Sequence, residues 1–154
     1  MFMRNSSKAV IIRDDKLLTI KLHENDKTYY ILPGEGQKPG ENLHQTLERE
    51  CMEEVGAKIT IGELLFVREY IGKNHELSAK HSHYHQIELI FSCSVDLNRN
   101  QFENCEMPDR GQVGIEWIPI QKLMEYNFFQ KAMRVHIISY LNNREAPVYI
   151  GDIN

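Results

Sequence analysis

The sequence predicts a mixed α/β fold, an α+β sheet flanked by a helix on each side, and three observations predict it. Short β-rich runs are punctuated by turn residues, two stretches carry helical periodicity, and one strand run is nearly continuous in apolar character. At 154 residues the chain has the size of one ordinary domain, enough to enclose a core without disulfides or a structural metal. One domain over residues 1–154 is the expectation.

Lys8 to Arg13 and Lys16 to Leu22 are β-rich runs separated by Asp14-Asp15, a natural hairpin turn, and Thr28 to Leu32 adds a third strand. A turn rich in glycine and proline follows, with Pro33, Gly34, Gly36, Pro39 and Gly40. Its scarcity of Cβ atoms lets backbone groups approach a ligand closely. Asn42 is placed as a helix N-cap with Gln45 as its capping-box partner, and Gly56 supplies the stop. Leu43, Leu47, Cys51 and Val55 form the apolar stripe of that helix. Ile59 to Ile71 and Tyr84 to Val95 read as long paired strands, the second central and buried on both faces. Gly111 to Ile118 is another strand, Pro119 starts a short helical turn, and Phe128 to Leu141 is helical until Pro147 blocks continuation. Asn98 to Gln112 is a polar loop.

Acidic residues number 22 against 18 basic, for a formal charge of -4, which argues against nucleic-acid backbone or anionic membrane and for a small-molecule partner. No stretch approaches a membrane span or the apolar core of a signal peptide. Cys51, Cys93 and Cys105 are odd in number with no Cys-x-x-Cys pair, which points to a reducing, cytoplasmic setting.

The informative segment runs from Glu41 to Gly56. A glutamate-rich helix is ordinarily a solvated face. Here, measured from Cys51 at 100° per residue, Glu54 lies about 60° away, Glu50 about 100° and Glu53 about 160°. Glu50 and Glu54 therefore border the buried seam one turn apart, where they can share one ion, and like charges so gathered call for a cation. Arg49 stands four residues before Glu53 and can hold a carboxylate, fixing geometry. Glu41 precedes the N-cap, where a carboxylate suits the helix dipole.

Glu41, Arg49, Glu50, Glu53, Glu54 and Gly56 match the Nudix box, and the stretch from Glu35 to Ala57 resembles that family. The departure is Glu35, which stands where the pattern has its first glycine; the box's two apolar positions hold the small residues Cys51 and Ala57. The resemblance implies a Nudix-type α/β/α sandwich and hydrolysis of a nucleoside diphosphate linked to another group, with Mg2+ or Mn2+ as cofactor. Substrates of that kind include a nucleotide sugar such as ADP-ribose, or a nucleoside triphosphate. It further implies that Glu50, Glu53 and Glu54 ligate the metal, that Gly34 lends a backbone carbonyl, and that Glu41 and Arg49 brace the helix. Gly36 belongs to the same phosphate-approaching turn. For the general base, Glu53, Glu88, Glu103 and Glu106 stand as candidates. The rival, raised by Glu35, is a non-catalytic nucleotide sensor on the same fold; an isomerase acting on a diphosphate ester is a third option with no specific feature in its favour.

Tyr30, before the glycine turn, can stack on a base or pack beneath the loop, and packing is the simpler role. His81, His83 and His85 alternate along an expected strand start; structural zinc, substrate phosphate contact and plain packing are all open to them, although i and i+2 side chains close a tetrahedral site poorly. Phe66, Arg68 and Tyr70 share one face of a strand, suited to a nucleotide, an edge or the contact of a homodimer. Trp117 reads as core.

Overall fold

The computed structural model describes residues 2–95 and 110–154. The expectations for Glu103, Glu106 and Cys105, and most of the polar loop, lie outside the described residues. The elements in order are β1 (Phe2–Arg13), β2 (Lys16–Glu24), β3 (Lys27–Ile31), α1 (Leu43–Val55), β4 (Ile59–Ile71), α2 (Ser78–His81), β5 (Tyr84–Val95), β6 (Gln112–Pro119), α3 (Met133–Leu141) and β7 (Tyr149–Asp152). Strands follow the order β3-β2-β1-β5-β4-β7, and β6 pairs with the other edge of β2. The sheet is mixed: β1 runs parallel to β5, β4 antiparallel to β5 and parallel to β7, while β2 is antiparallel to its neighbours.

Both early turns follow from residue type. Asp14 and Asp15 have φ of 48° and 56°, and Asn25 and Asp26 have 51° and 59°; short polar side chains tolerate this left-handed backbone, whose twist matches a two-residue hairpin. Helix α1 forms as its caps dictate. Asn42 accepts from the Gln45 N–H while the Gln45 side chain accepts from the Asn42 N–H, and Gly56 ends the helix at φ 73°.

Leu47, Cys51 and Val55 of α1 are fully buried against Ala9, Ile11, Leu18 and Phe91 on one face of the sheet. On the opposite face Met133 and Ile137 of α3 cover Val10, Phe66 and Ile90. A fully buried aliphatic side chain of this kind contributes about 1.5–3 kcal/mol. The neighbours Ile90 and Phe91 belong to different cores, so β5 is central and serves both faces at its middle.

Four expectations are corrected. The first strand starts at Phe2 rather than Lys8, because Asn5, Ser6 and Ser7 find ladder partners in β5. Residues 128–132 are not helical: Phe128 bridges to Tyr30, and the Phe129 N–H donates to the Tyr30 carbonyl at 2.9 Å. Phe66, Arg68 and Tyr70 present no open face, since β4 lies between β5 and β7 and all three are buried. The three histidines do not alternate on one strand. His81 ends α2 and meets the Tyr70 hydroxyl at 2.8 Å, His83 lies against the Tyr84 ring, and His85 meets Glu69 at 2.8 Å. Trp117 is partly buried at the edge of the α1-side core.

Candidate active site

The Pro33–Gly36 turn hangs from β1. The Ala9 N–H donates to the Pro33 carbonyl at 2.9 Å, the Ser7 N–H to the Glu35 carbonyl at 3.1 Å, and the Gln37 N–H to the Asn5 carbonyl at 3.0 Å. Gly34 has φ +113°, and a Cβ there would lie 2.1 Å from the Ser7 carbonyl oxygen, so only glycine fits between strand and helix. Its N–H donates to Glu54 Oε2 at 2.6 Å, and its carbonyl accepts from the Lys8 ammonium. The carbonyl expected to face a metal is thus directed at a buried lysine, and Glu54, 1 % exposed, ties helix to turn.

A cleft of about 460 Å³ opens where this turn meets α1. Glu35, Gly36, Gln37 and Lys38 line it from the turn, Arg4 from β1, and Arg49, Glu50 and Glu53 from the helix. Arg49 is the hub of the helix side. Its Nε and Nη2 donate to the two oxygens of Glu41 at 2.6 and 3.0 Å, its Nη1 to Glu50 and, at 3.3 Å, to Glu53 Oε2. Glu41 also accepts from the Thr46 hydroxyl and the Lys38 N–H. The Arg49 guanidinium, with these further bonds, holds the Glu41 carboxyl down at about 2. Bonding to Glu41 in turn raises the Arg49 pKa. Burial pushes the Glu50 carboxyl up against the opposing pull of Arg49.

Among the described residues, no three His, Cys, Asp or Glu side chains converge in ligand geometry. Glu50 and Glu53 both bond to Arg49, while Glu54 accepts from the Gly34 N–H. The donor set nevertheless fits a hard divalent cation. Glu50 and Glu53 are oxygen donors in one cleft, the ligand type such an ion prefers, and both reach the Arg49 guanidinium there.

On the opposite wall Arg4 Nη2 donates to both Glu35 oxygens at 2.9 and 2.6 Å, and Arg4 Nε to Gln86 Oε1 at 2.6 Å. Partial burial pushes the Glu35 carboxyl up, but the Lys8 and Arg4 charges, with the Gly36 N–H, outweigh it and hold it below its ordinary value. Gln86 donates onward to the Ser6 hydroxyl at 3.2 Å and to Glu88 at 2.7 Å. Glu88, 2 % exposed, faces Arg68 Nε at 3.1 Å.

Of the candidate bases, Glu53 lines the cleft and Glu88 is sealed in an ion pair. Tyr30 does not line the cleft; its ring meets Tyr126 edge to face at 5.2 Å at the rim of the α3-side core. Sequence reasoning passed over Arg4, Lys8 and Gln86. The alternation Arg4-x-Ser6-x-Lys8-x-Val10 was the available signal, hidden because the polar start of β1 has no β-rich composition.

The NUDIX domain model matches residues 3–137. The nucleoside triphosphatase NudI of Salmonella agona (strain SL483) is 27% identical over 123 residues, covering 77% of this chain and 83% of that protein. A NUDIX hydrolase from Nitrosomonas europaea superposes with a TM-score of 0.73 at 19% identity, covering 96% of this chain and 94% of the other. A UDP-X diphosphatase superposes at 0.72 with 20% identity, covering 99% and 68%. The chain belongs to the Nudix family of hydrolases.

Proposed function

We propose that the protein is a metal-dependent pyrophosphohydrolase that cleaves the diphosphate linkage of a soluble nucleoside diphosphate derivative, a nucleoside triphosphate or a nucleotide sugar. The observation that carries this reading is the cleft in which Glu50 and Glu53 of the helix line one side and the glycine turn the other. Glu50 and Glu53, with Glu54 behind them on the same helix edge, would hold Mg2+, or Mn2+ in its place. The ion, when bound, would neutralise charge developing on the phosphate bridge and acidify a water.

The remaining work falls to the chain itself. Glu41 and Thr46 keep the Arg49 guanidinium tethered at the helix start, so that it can release Glu50 and Glu53 without leaving the cleft. Glu54 fixes the turn through the Gly34 N–H, which sets where phosphate oxygens can lie. Glu53, at the cleft surface, is the described carboxylate best placed to take a proton from the attacking water. Nucleoside triphosphates rank first because the relative from Salmonella agona is a nucleoside triphosphatase. The free thiols Cys51 and Cys93 suit a reducing cytoplasm.

The test is release of pyrophosphate or phosphate from a panel of nucleoside triphosphates and nucleotide sugars with Mg2+ or Mn2+. Turnover that disappears with chelator is expected. Nucleotide binding without turnover across pH and metal would replace this reading with a sensor.

A further inference from the structure

The residue that departs from the family box is not idle. Glu35 stands in the cleft as the acceptor for Arg4, and the guanidinium packs close over Gly36, where a Cβ would lie 3.3 Å from its carbon. Arg4 is held from behind. Its Nε is bonded to Gln86, which is itself fixed by Ser6 and the buried Glu88. The guanidinium is therefore anchored to the sheet through Nε, while a single neighbouring nitrogen, Nη2, serves both oxygens of Glu35 in the cleft.

The two side chains are 30% and 39% exposed. An ion pair so open to water contributes little stability, and its partner is easily exchanged. The other arginine of the cleft, Arg49, is shared among Glu41, Glu50 and Glu53. A phosphate group offers a guanidinium the same pair of oxygens as a carboxylate, with more charge.

We propose that Arg4 is a substrate-phosphate-binding residue of this cleft and that Glu35 is its built-in counter-ion, a carboxylate that yields Arg4 to the incoming phosphate. This rests on the reading of the cleft as a diphosphate site. Glu35 lowers affinity for every anion by competing for Arg4, and so sets the apparent KM without touching the bond that breaks.

The experiment compares wild type, Arg4→Gln, Arg4→Lys, Glu35→Gln and the Arg4→Gln/Glu35→Gln pair, each first shown to melt cooperatively. Binding of methylenediphosphonate with Mg2+ is measured by calorimetry, alongside KM and kcat on the best nucleotide substrate. Arg4→Gln should weaken binding about tenfold or more, and Arg4→Lys less. Glu35→Gln should tighten binding a few-fold, and the double variant should match Arg4→Gln alone, since Glu35 has then no cation to guard. In kinetics these changes should appear chiefly in KM. Arg4→Gln binding within twofold of wild type, or Glu35→Gln weakening binding as Arg4→Gln does, overturns the proposal. If wild type turns nucleotides over while either of those results holds, this inference fails and the hydrolase reading stands. If no nucleotide is turned over yet the affinities follow the expected order, the reverse is true.

Discussion

The arginine–carboxylate assemblies at Arg49 and at Arg68 behave differently. Arg49 on α1 is bonded to Glu41, Glu50 and Glu53, and Arg49, Glu41 and Glu53 keep 20%, 20% and 31% of their side-chain surface open. Arg68 on β4 faces Glu88 on β5 with 2% and 3% open. The first has several partners of like chemistry within reach of solvent, so bonds can be traded for a ligand at small cost. The second has been taken out of water, and either partner left alone there would be an uncompensated charge. In the first assembly water reaches Glu41 and Glu53, whereas in the second it reaches neither partner.

The largest effect should come from breaking the sealed pair. Arg68→Met leaves Glu88 charged and buried, and should cost about 3–5 kcal/mol of stability, read by denaturant unfolding; Arg68→Met with Glu88→Leu should regain most of it. Recovery would show that the pair is a structural device. On the open assembly the effect should fall on rate instead. Glu53→Gln keeps volume and loses charge, and should lower kcat at saturating Mg2+ by at least about 100-fold, about 2.7 kcal/mol of transition-state stabilisation, with an unchanged melting temperature. Near-normal turnover would remove Glu53 from the chemistry. The smallest effect is acid dependence. Glu41 is depressed from 4.5 to about 2 in the folded chain. Its contribution is therefore full above pH 4.5 and is lost as pH falls toward 2. Glu41→Gln should flatten stability against pH in that window, as measured by urea unfolding at successive pH values. An unaltered slope would mean that Arg49 does not hold Glu41 in solution.

Much of this was legible in the chain. The capping box at Asn42 and Gln45, the glycine stop at Gly56 and the burial of Glu50 and Glu54 beside the Leu47 and Cys51 stripe are local consequences of helical spacing, and the structure has them. What could not be read depends on partners far away in sequence. Asn5, Ser6 and Ser7 look like a polar tail until β5 supplies their ladder, and β7 is a strand because β4 offers an edge. Arg4 becomes a cleft residue only through Gln86 and Glu35. The three-histidine alternation misled because His81 and His83 sit before the strand begins; a spacing of two has meaning only within an extended segment. Helical angles also place side-chain bases, not their ends: two of the three carboxylates named as metal ligands, Glu50 and Glu53, are bonded to Arg49, a contact that the spacing alone did not specify.

The pairing of β1 with β5 joins residues 82 positions apart, as Arg4 and Gln86 show. Helix α1 carries its own start and stop signals, whereas the Pro33–Gly36 turn is moored to β1, a strand that has to wait for β5. Closing so long a loop is slow compared with winding a capped helix. During refolding, ellipticity should return before competence to grip an anion, leaving an interval in which the acidic helix exists and its opposite wall does not.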